Sequence, residues 1–128
     1  MGMNLRGRTK KAMAAARAAG VEALLVTHLP DVRYLSGFTG SSAVLVLMGV
    51  PAGGKAVLFT DGRYTAQAKA EAVGTRVVIA KKPAVLAACE WIEAAGVRRC
   101  GFDAAHTTVA ALETMRKALK PLKAEVLE

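Results

Sequence analysis

The sequence has few of the residues that several functional classes depend on. Of its 128 residues, 5% are aromatic, two are cysteines and two are histidines. No window reaches the roughly 18 consecutive apolar residues that a membrane-spanning helix needs. The basic N-terminus is not followed by a long apolar segment, so we expect no secretory signal. The low cysteine count excludes a disulfide-stapled miniprotein. The lack of long apolar segments predicts a protein that is not embedded in a membrane.

The two cysteines, Cys89 and Cys100, lie at neither metal-binding nor redox spacing. Cys89 falls on the helical face of Val85 and Ile92, and Cys100 falls in an apolar segment typical of a strand. We therefore predict two buried, reduced thiols that pack as small hydrophobic side chains. Free thiols are typical of a reducing compartment, which indicates a cytoplasmic protein.

Hydrophobic residues make up 53% of the chain and charged residues 22%, which suits one domain with a packed core. The formal net charge is +8. Arg6, Lys10 and Arg17 share one face of a predicted helix. Because the aromatic residues that accompany basic nucleic-acid grooves are scarce, this face is interpreted as a solvated surface, and a nucleic-acid partner is not expected.

One local order recurs three times: a helix rich in small residues, a glycine, and then an apolar strand. The glycines are Gly20, Gly74 and Gly96, and glycine is the commonest residue just beyond a helix. The strands that follow them are predicted at 23–26, 75–79 and 97–102. This alternation predicts a layered α/β domain.

The middle of the chain is different. Apolar runs at 43–48 and 56–59 are too short for helices, and the seven residues 49–55 cannot hold a crossover helix. The two runs are therefore predicted to form an antiparallel hairpin. A last helix is expected over 107–119, with Val109, Leu112, Met115 and Leu119 on its apolar face. We predict a single three-layer α/β domain with a mixed five- to six-stranded sheet, a central β-hairpin and flanking helices, the sixth strand falling in 124–127.

Several catalytic patterns are disfavoured. Residues 53–55 form a Gly-Gly-Lys segment that precedes a strand, whereas a phosphate loop precedes a helix, so a hairpin turn is the better interpretation. A triad of Ser41, His28 and Asp61 lacks the Gly-x-Ser-x-Gly spacing. Asp61 is better explained as a helix cap.

Metal chemistry is also not expected within this chain. Neither His28 nor His106 has a partner at ligand spacing along the sequence. The chain has three aspartates, Asp31, Asp61 and Asp103, too few for the clustered carboxylates of a two-metal nuclease. Asp31 is expected in a loop, which the sequence predicts between the first strand and the hairpin. His28 is interpreted as a solvated loop residue, although loops that follow strands of α/β sheets often carry functional residues. His106 is interpreted as a polar residue that precedes the last helix.

Two segments carry a specific resemblance. The first is an Asp-x-x-Tyr-Leu-Ser-Gly-Phe segment over 31–38, and the second is Thr-Asp-x-Arg-Tyr followed by Gln-Ala over 60–68. Together, and in this order around a hairpin, they resemble the N-terminal domain of the creatinase, prolidase and Xaa-Pro aminopeptidase family, whose fold is similar to that of ribonuclease H. The Phe-Thr-Gly-Ser-Ser form of 38–42 is most similar to Xaa-Pro aminopeptidases. A glycine often follows in that subfamily, and this chain has Ala43.

The resemblance implies a C-terminal catalytic domain of the pita-bread type that residues 1–128 do not include. That domain holds two divalent metal ions, commonly Mn, Co or Zn, between two Asp, one His and two Glu, and cleaves the peptide bond before proline. The chain itself is therefore expected to contain no catalytic residue, bind no catalytic metal and show no peptidase activity. In the family this N-terminal domain also supports a homo-oligomer, expected here to be a dimer.

The resemblance further implies that the loop near 38–42 shapes the pocket for a proline-containing peptide. The candidates for this pocket or for a subunit interface are His28, Tyr34, Phe38, Thr39, Ser41 and Ser42. The structural residues of the motifs are Asp31, Gly37, Asp61, Arg63 and Tyr64, with Arg63 expected to brace Asp31 or a loop carbonyl. The loop has little apolar area apart from Phe38, so we expect it to be mobile, with Phe38 partly exposed.

Two other functions stay open from the sequence. One is a stand-alone binding module that uses the same α/β fold. The other is a nucleic-acid-binding or nuclease domain, which would need clustered carboxylates that the sequence pattern does not provide.

Overall fold

The structure is a computed structural model that describes residues 5–48, 55–72, 74–103, 105–119 and 123–127. Helices and strands alternate along this part of the chain. They are α1 (Leu5–Ala18), β1 (Ala23–Val26), α2 (Leu29–Ser36), β2 (Ala43–Met48), β3 (Lys55–Thr60), a 3₁₀ turn (Gly62–Tyr64), α3 (Thr65–Glu71), β4 (Arg76–Ile79), α4 (Ala84–Ala94), β5 (Arg99–Asp103), α5 (Val109–Ala118) and β6 (Lys123–Leu127).

The strands form one mixed sheet in the order β4-β3-β2-β1-β5-β6. β2 pairs antiparallel with both β1 and β3, which confirms the predicted hairpin. The β3–β4, β1–β5 and β5–β6 pairs are parallel. The predicted sixth strand is present as β6, whereas the proposed turn at 53–55 falls mostly outside the described residues.

Two hydrophobic clusters lie on opposite faces of the sheet, because successive residues of a strand point to opposite sides. Val44, Val46 and Met48 of β2 belong to one cluster, with side chains from α4 and α5. Leu45 and Leu47 belong to the other, with side chains from α1, α2 and α3. Every residue of β2 is buried, so its uninterrupted apolar run is that of a strand covered on both faces. The predicted three-layer architecture is confirmed.

The prediction of a loop between β1 and β2 is wrong for residues 29–36, which form the helix α2. Pro30 fits the first helical turn, where no backbone donor is needed. Gly37 ends the helix with φ at 85°, a left-handed conformation that glycine adopts without strain. Val32 and Leu35 are buried, three residues apart on one helical face. Asp31, placed in a loop by the sequence interpretation, lies in the first turn of this helix.

The glycine stops are confirmed, since Gly20, Gly74 and Gly96 all have positive φ. The apolar face predicted for the last helix is partly wrong. Met115 and Leu119 are buried, but Val109 at the start of α5 is 74% exposed. No helix within the described ranges is both long enough and apolar enough to cross a bilayer.

The prediction for the cysteines is confirmed. Cys89 and Cys100 are fully buried and free. Burial raises the pKa of the Cys89 thiol to about 11 and that of the Cys100 thiol to about 12. Both side chains therefore stay protonated near neutral pH and act as core atoms.

Candidate functional site

Both sequence motifs and both histidines lie along one edge of the sheet. β1 and β5 run parallel, so the residues that follow them, including His28 and His106, leave the sheet on the same side. β2 runs the other way, and its first residue, Ala43, pairs with the last residue of β3, Thr60. The start of β2 and the end of β3 therefore lie at this same edge. Sheet topology thus brings together segments that are far apart in sequence.

Hydrogen bonds hold the loop between α2 and β2 at several points. Both the backbone N–H and the hydroxyl of Thr39 donate to the Glu71 carboxylate, at 2.8–3.0 Å. Gln67 donates to both Thr39 and Glu71. These bonds lower the pKa of Glu71, the backbone donor from Thr39 contributing most. The downstream Gln67 of the second motif therefore supports the loop of the first.

Ser41 and Ser42 complete the attachment. The hydroxyls of Ser41 and Tyr64 lie 2.5 Å apart. The Thr60 hydroxyl donates to the backbone carbonyl of Ser42 at 2.5 Å. Thr39 and Ser41 are exposed, as expected for surface candidates. These contacts favour a fixed loop over the mobile one that its composition predicts.

The expectation that Phe38 is partly exposed is wrong. Its side chain is 1% exposed and lies in the cluster with Val32 and Leu35. The ring meets Tyr64 edge to face, with centroids 5.5 Å apart. A Cβ on Gly40 would lie 2.3 Å from the Phe38 ring, so glycine is needed there to admit the aromatic side chain. Phe38 is a core residue that anchors the loop, because the backbone turns its side chain inward past Gly40.

The second motif forms a local ion pair. The Asp61 carboxylate accepts hydrogen bonds from Nε and Nη2 of Arg63, at 2.9 and 2.8 Å, and from the Arg63 backbone N–H. The Arg63 side-chain hydrogen bonds are the main reason that the pKa of Asp61 is lowered. The expected brace from Arg63 to Asp31 or a loop carbonyl is wrong, because Asp61 lies close enough to accept two hydrogen bonds from one side of the guanidinium. With Asp61 bound to Arg63 and Ser41 to Tyr64, their contacts give no support to a triad with His28.

The two histidines lie against each other at the edge of the sheet. Their rings stack with centroids 4.0 Å apart and an interplanar angle of 15°. Nδ1 of His106 lies 2.7 Å from Oδ2 of Asp103. His28, Asp31 and His106 each present one potential metal-ligand atom, and these atoms lie within 4.8 Å of one another. Sequence spacing gave neither histidine a ligand partner, whereas β1–β5 pairing brings His106 next to His28 and Asp31 in the folded chain.

The contact between His106 and Asp103 shifts the pKa values of both side chains. The hydrogen bond to the Asp103 carboxylate is the largest effect that raises the pKa of His106, and Asp31 adds a smaller effect in the same direction. The same hydrogen bond is the largest reason that the pKa of Asp103 is lowered. The Asp103 side chain also accepts from the Ala105 backbone N–H at 2.9 Å, which fixes its orientation.

Two open grooves meet at the histidines. One, of about 660 Å³, is lined by Asp31 and Tyr34 together with apolar residues of α1 and β1. The other, of about 520 Å³, is lined by Ser41 and Ser42 together with residues from the start of α4. His28 and His106 line both grooves. Tyr34 is 56% exposed, and the Arg8 guanidinium lies 4.2 Å from its ring centroid.

Of the predicted site residues, His28, Tyr34, Ser41 and Ser42 lie on these grooves. Thr39 is exposed on the loop, and Phe38 lies in the core. Sequence interpretation missed Asp103 and His106 as site residues. The signal available in the sequence was their position. Asp103 and His106 come at the end of, and just after, a strand that was predicted to lie in the same sheet as β1.

Residues 8–127 match the sequence profile of the family described as Creatinase/Prolidase N-terminal domain. An uncharacterized peptidase of Bacillus subtilis, YqhT, is 34% identical over 84 residues. That match covers 66% of this chain and 23% of YqhT, so the chain spans less than a quarter of its relative.

Solved structures are similar over nearly the whole chain. The N-terminal domain of the cytoplasmic peptidase PepQ from Mycobacterium tuberculosis is 35% identical, with a TM-score of 0.84, and the match covers 94% of this chain and 91% of that one. A chain described as an Xaa-Pro aminopeptidase from Streptococcus pyogenes is 30% identical, with a TM-score of 0.81, and the match covers 96% of this chain and 91% of that one.

Proposed function

The chain belongs to the creatinase/prolidase N-terminal domain family, and from this we propose that it is the non-catalytic N-terminal domain of a metal-dependent peptidase that cleaves before proline. The parent enzyme is an Xaa-Pro aminopeptidase or dipeptidase. The length relation to YqhT supports a longer parent protein, since the match covers 23% of that peptidase. The principal partner of the domain is then its own C-terminal catalytic domain.

The catalytic metals belong to that partner domain. The family's two-metal set needs two Asp, one His and two Glu, whereas the cluster that the described residues assemble has two histidines and one aspartate. These residues do not fit a centre with two bridged metals, so no catalytic step is assigned to them. The two divalent ions, Mn, Co or Zn, are proposed for the catalytic domain alone.

The proposed role of this domain at the substrate rests on one observation. The motif loop, the histidines and exposed Tyr34 border two adjoining grooves at one edge of the sheet. The groove volumes of about 660 and 520 Å³ fall in the range of small-ligand sites. Their mixture of apolar walls and a few polar groups suits a proline ring and peptide carbonyls. We infer that this edge faces a catalytic pocket and completes its wall.

The same edge is proposed to take part in a homodimer. An exposed tyrosine stacked by an arginine is the kind of side chain that is enriched at protein interfaces. A cytoplasmic location belongs to the same proposal, supported by two free, buried thiols and by the cytoplasmic peptidase PepQ among the similar structures.

The test uses the full-length enzyme with Tyr34→Ala, Tyr34→Phe as the conservative variant, and Glu90→Gln as a control on the exposed surface. Loss of the ring should lower kcat/KM for an Xaa-Pro peptide by roughly tenfold, the effect of losing one good contact in a binding pocket. Tyr34→Phe keeps the ring and should retain most of the activity. Metal content, measured by elemental analysis, should be the same in all variants.

Light scattering of each variant separates the two parts of the proposal. A fall in kcat/KM with the dimer intact supports a role in the pocket wall, and a fall that follows dissociation supports a role through assembly. Unchanged kcat/KM and an unchanged oligomeric state in Tyr34→Ala would show that this edge faces neither the substrate nor a subunit.

A further inference from the structure

The geometry points to a binding site for one divalent transition-metal ion, formed by His28, Asp31 and His106 within this domain. The three residues come from the loop after β1, the first turn of α2 and the segment between β5 and α5. Their ligand atoms lie within 4.8 Å of one another. Donors around a tetrahedral zinc ion are separated by roughly 3.4 Å, given bonds of about 2.1 Å. An imidazole nitrogen binds a metal ion in the plane of its ring, so at least one of the two stacked rings must turn out of the stack for both histidines to bind one ion.

A carboxylate behind His106 supports this assignment. Asp103 Oδ2 lies 2.7 Å from Nδ1 of His106, while its other oxygen accepts from the Ala105 backbone N–H. When Nδ1 donates its proton to Asp103, the lone pair of the neutral ring is on Nε2. A carboxylate that binds the second ring nitrogen in this way is the common outer partner of a metal-binding histidine. Asp103 therefore acts as a positioning residue for His106.

Charge balance supports a cation at the same place. The carboxylates of Asp31 and Asp103 bring two negative charges to the two histidine rings. A divalent cation at this place balances these charges.

The donor set selects the class of ion. Two imidazole nitrogens and one carboxylate oxygen suit Zn²⁺ and Co²⁺, whereas Mg²⁺ and Ca²⁺ prefer oxygen ligands alone. Three protein ligands leave a fourth position for water or for a ligand in the adjoining grooves. Cys89 and Cys100 do not compete for the ion in the folded chain, because both are fully buried.

The experiment uses the 128-residue chain without a histidine tag. Isothermal titration with ZnCl₂ should give one ion per folded chain, and CoCl₂ should give visible absorption bands of a low-coordinate Co²⁺ site. The chain has two histidines, so NMR of the imidazole rings reports on the site directly. Zn²⁺ should shift the ring signals of both residues, whereas MgCl₂ should shift neither.

The variants identify the ligands. His28→Gln, Asp31→Asn and His106→Gln should each weaken Zn²⁺ binding by about tenfold or more, and Asp103→Asn by about 10- to 100-fold through loss of the outer partner. Glu90→Gln, an exposed carboxylate paired with Lys82 away from the cluster, should bind as the wild type does. Circular dichroism of each variant confirms folding, and the wild-type NMR titration is independent of any substitution.

Three results would each overturn the site: no saturable binding of Zn²⁺ or Co²⁺ by the folded wild type, a shift in the ring signals of only one histidine, or ligand variants that bind as tightly as Glu90→Gln. Because the readout is binding by this chain, its failure leaves the proposed peptidase role untouched. Conversely, unchanged kinetics of Tyr34→Ala in the full-length enzyme would not affect the metal site.

Discussion

At the scale of single residues, Phe38 is a motif residue of the loop whose side chain packs in the hydrophobic core. Its ring is 1% exposed, touches Tyr64 edge to face and fits only because position 40 is glycine. Phe38→Ala should therefore lower the free energy of unfolding by about 3–5 kcal/mol, the usual effect of emptying a buried phenylalanine site. Urea denaturation of the isolated chain measures this change.

The matched control for Phe38→Ala is Val109→Ala, since Val109 is a hydrophobic side chain that is 74% exposed. Its unfolding free energy should change by no more than about 0.5 kcal/mol. Equal effects of the two substitutions would contradict a core role for Phe38 and restore the exposed-loop interpretation.

His106 gives a pH-dependent prediction at the same scale. Asp103 is the main cause that raises the His106 pKa above its ordinary 6.5, with Asp31 adding to it. A raised pKa in the folded state stabilises the fold below the ordinary value, and this stabilisation is lost as pH rises through the raised value. The lowered pKa of Asp103 acts in the opposite sense, because its contribution is lost as pH falls through that lowered value.

The measurement is an NMR titration of the His106 ring in metal-free protein containing a chelator. The wild-type pKa should lie above 6.5, and Asp103→Asn should lower it, since the amide removes the negative charge. Glu90→Gln should leave the titration unchanged. A His106 pKa that is the same in wild type and Asp103→Asn would show that the 2.7 Å contact is not formed in solution.

At the scale of secondary-structure elements, the start of α5 depends on one hydroxyl. The Thr108 side chain accepts a hydrogen bond from the Ala111 backbone N–H at 3.1 Å, the usual N-cap arrangement. Thr108→Ala should lower the free energy of unfolding by about 1 kcal/mol, because a helical N–H loses its partner. Thermal and chemical denaturation both report this change.

Thr114 in the same helix is the matched control for Thr108. Its hydroxyl donates to the Ala110 carbonyl, which already belongs to the helix, and alanine has the higher helix propensity. Thr114→Ala should therefore be neutral or slightly stabilising. A cap role for Thr108 would be refuted if both alanine variants gave the same stability.

At the scale of the whole molecule, the proposed function predicts that this chain is inactive alone. The isolated 128-residue chain, mixed with Mn²⁺, Co²⁺ or Zn²⁺, should not hydrolyse an Xaa-Pro peptide, because the two-metal centre is assigned to the catalytic domain. The full-length enzyme under the same conditions is the positive control. Turnover that co-purifies with the isolated chain, in proportion to its concentration, would contradict the assignment.

The features that the sequence determined by itself are those that depend on neighbouring residues. Apolar runs and their lengths specified β1, β2 and β3, and glycine beyond the apolar pattern specified three helix ends. The short link between β2 and β3 required an antiparallel hairpin, and this pairing is confirmed. Turn chemistry and hydrophobic period act over a few residues, so both can be recognised without knowing the fold. The two motifs likewise identified the family from short segments.

Only the tertiary structure decided which side chains meet. The order of strands makes β1 and β5 neighbours, and this alone brings His28 to His106 and Asp103. Packing against the core also turns the Phe38 side chain inward, although its flanking residues are those of a surface loop. Sequence spacing does not encode these contacts, because they depend on where the sheet places residues from distant segments. The local composition therefore indicated a loop and two solitary histidines, whereas the packing of the sheet produced a core anchor and a cluster of two histidines with Asp31 and Asp103.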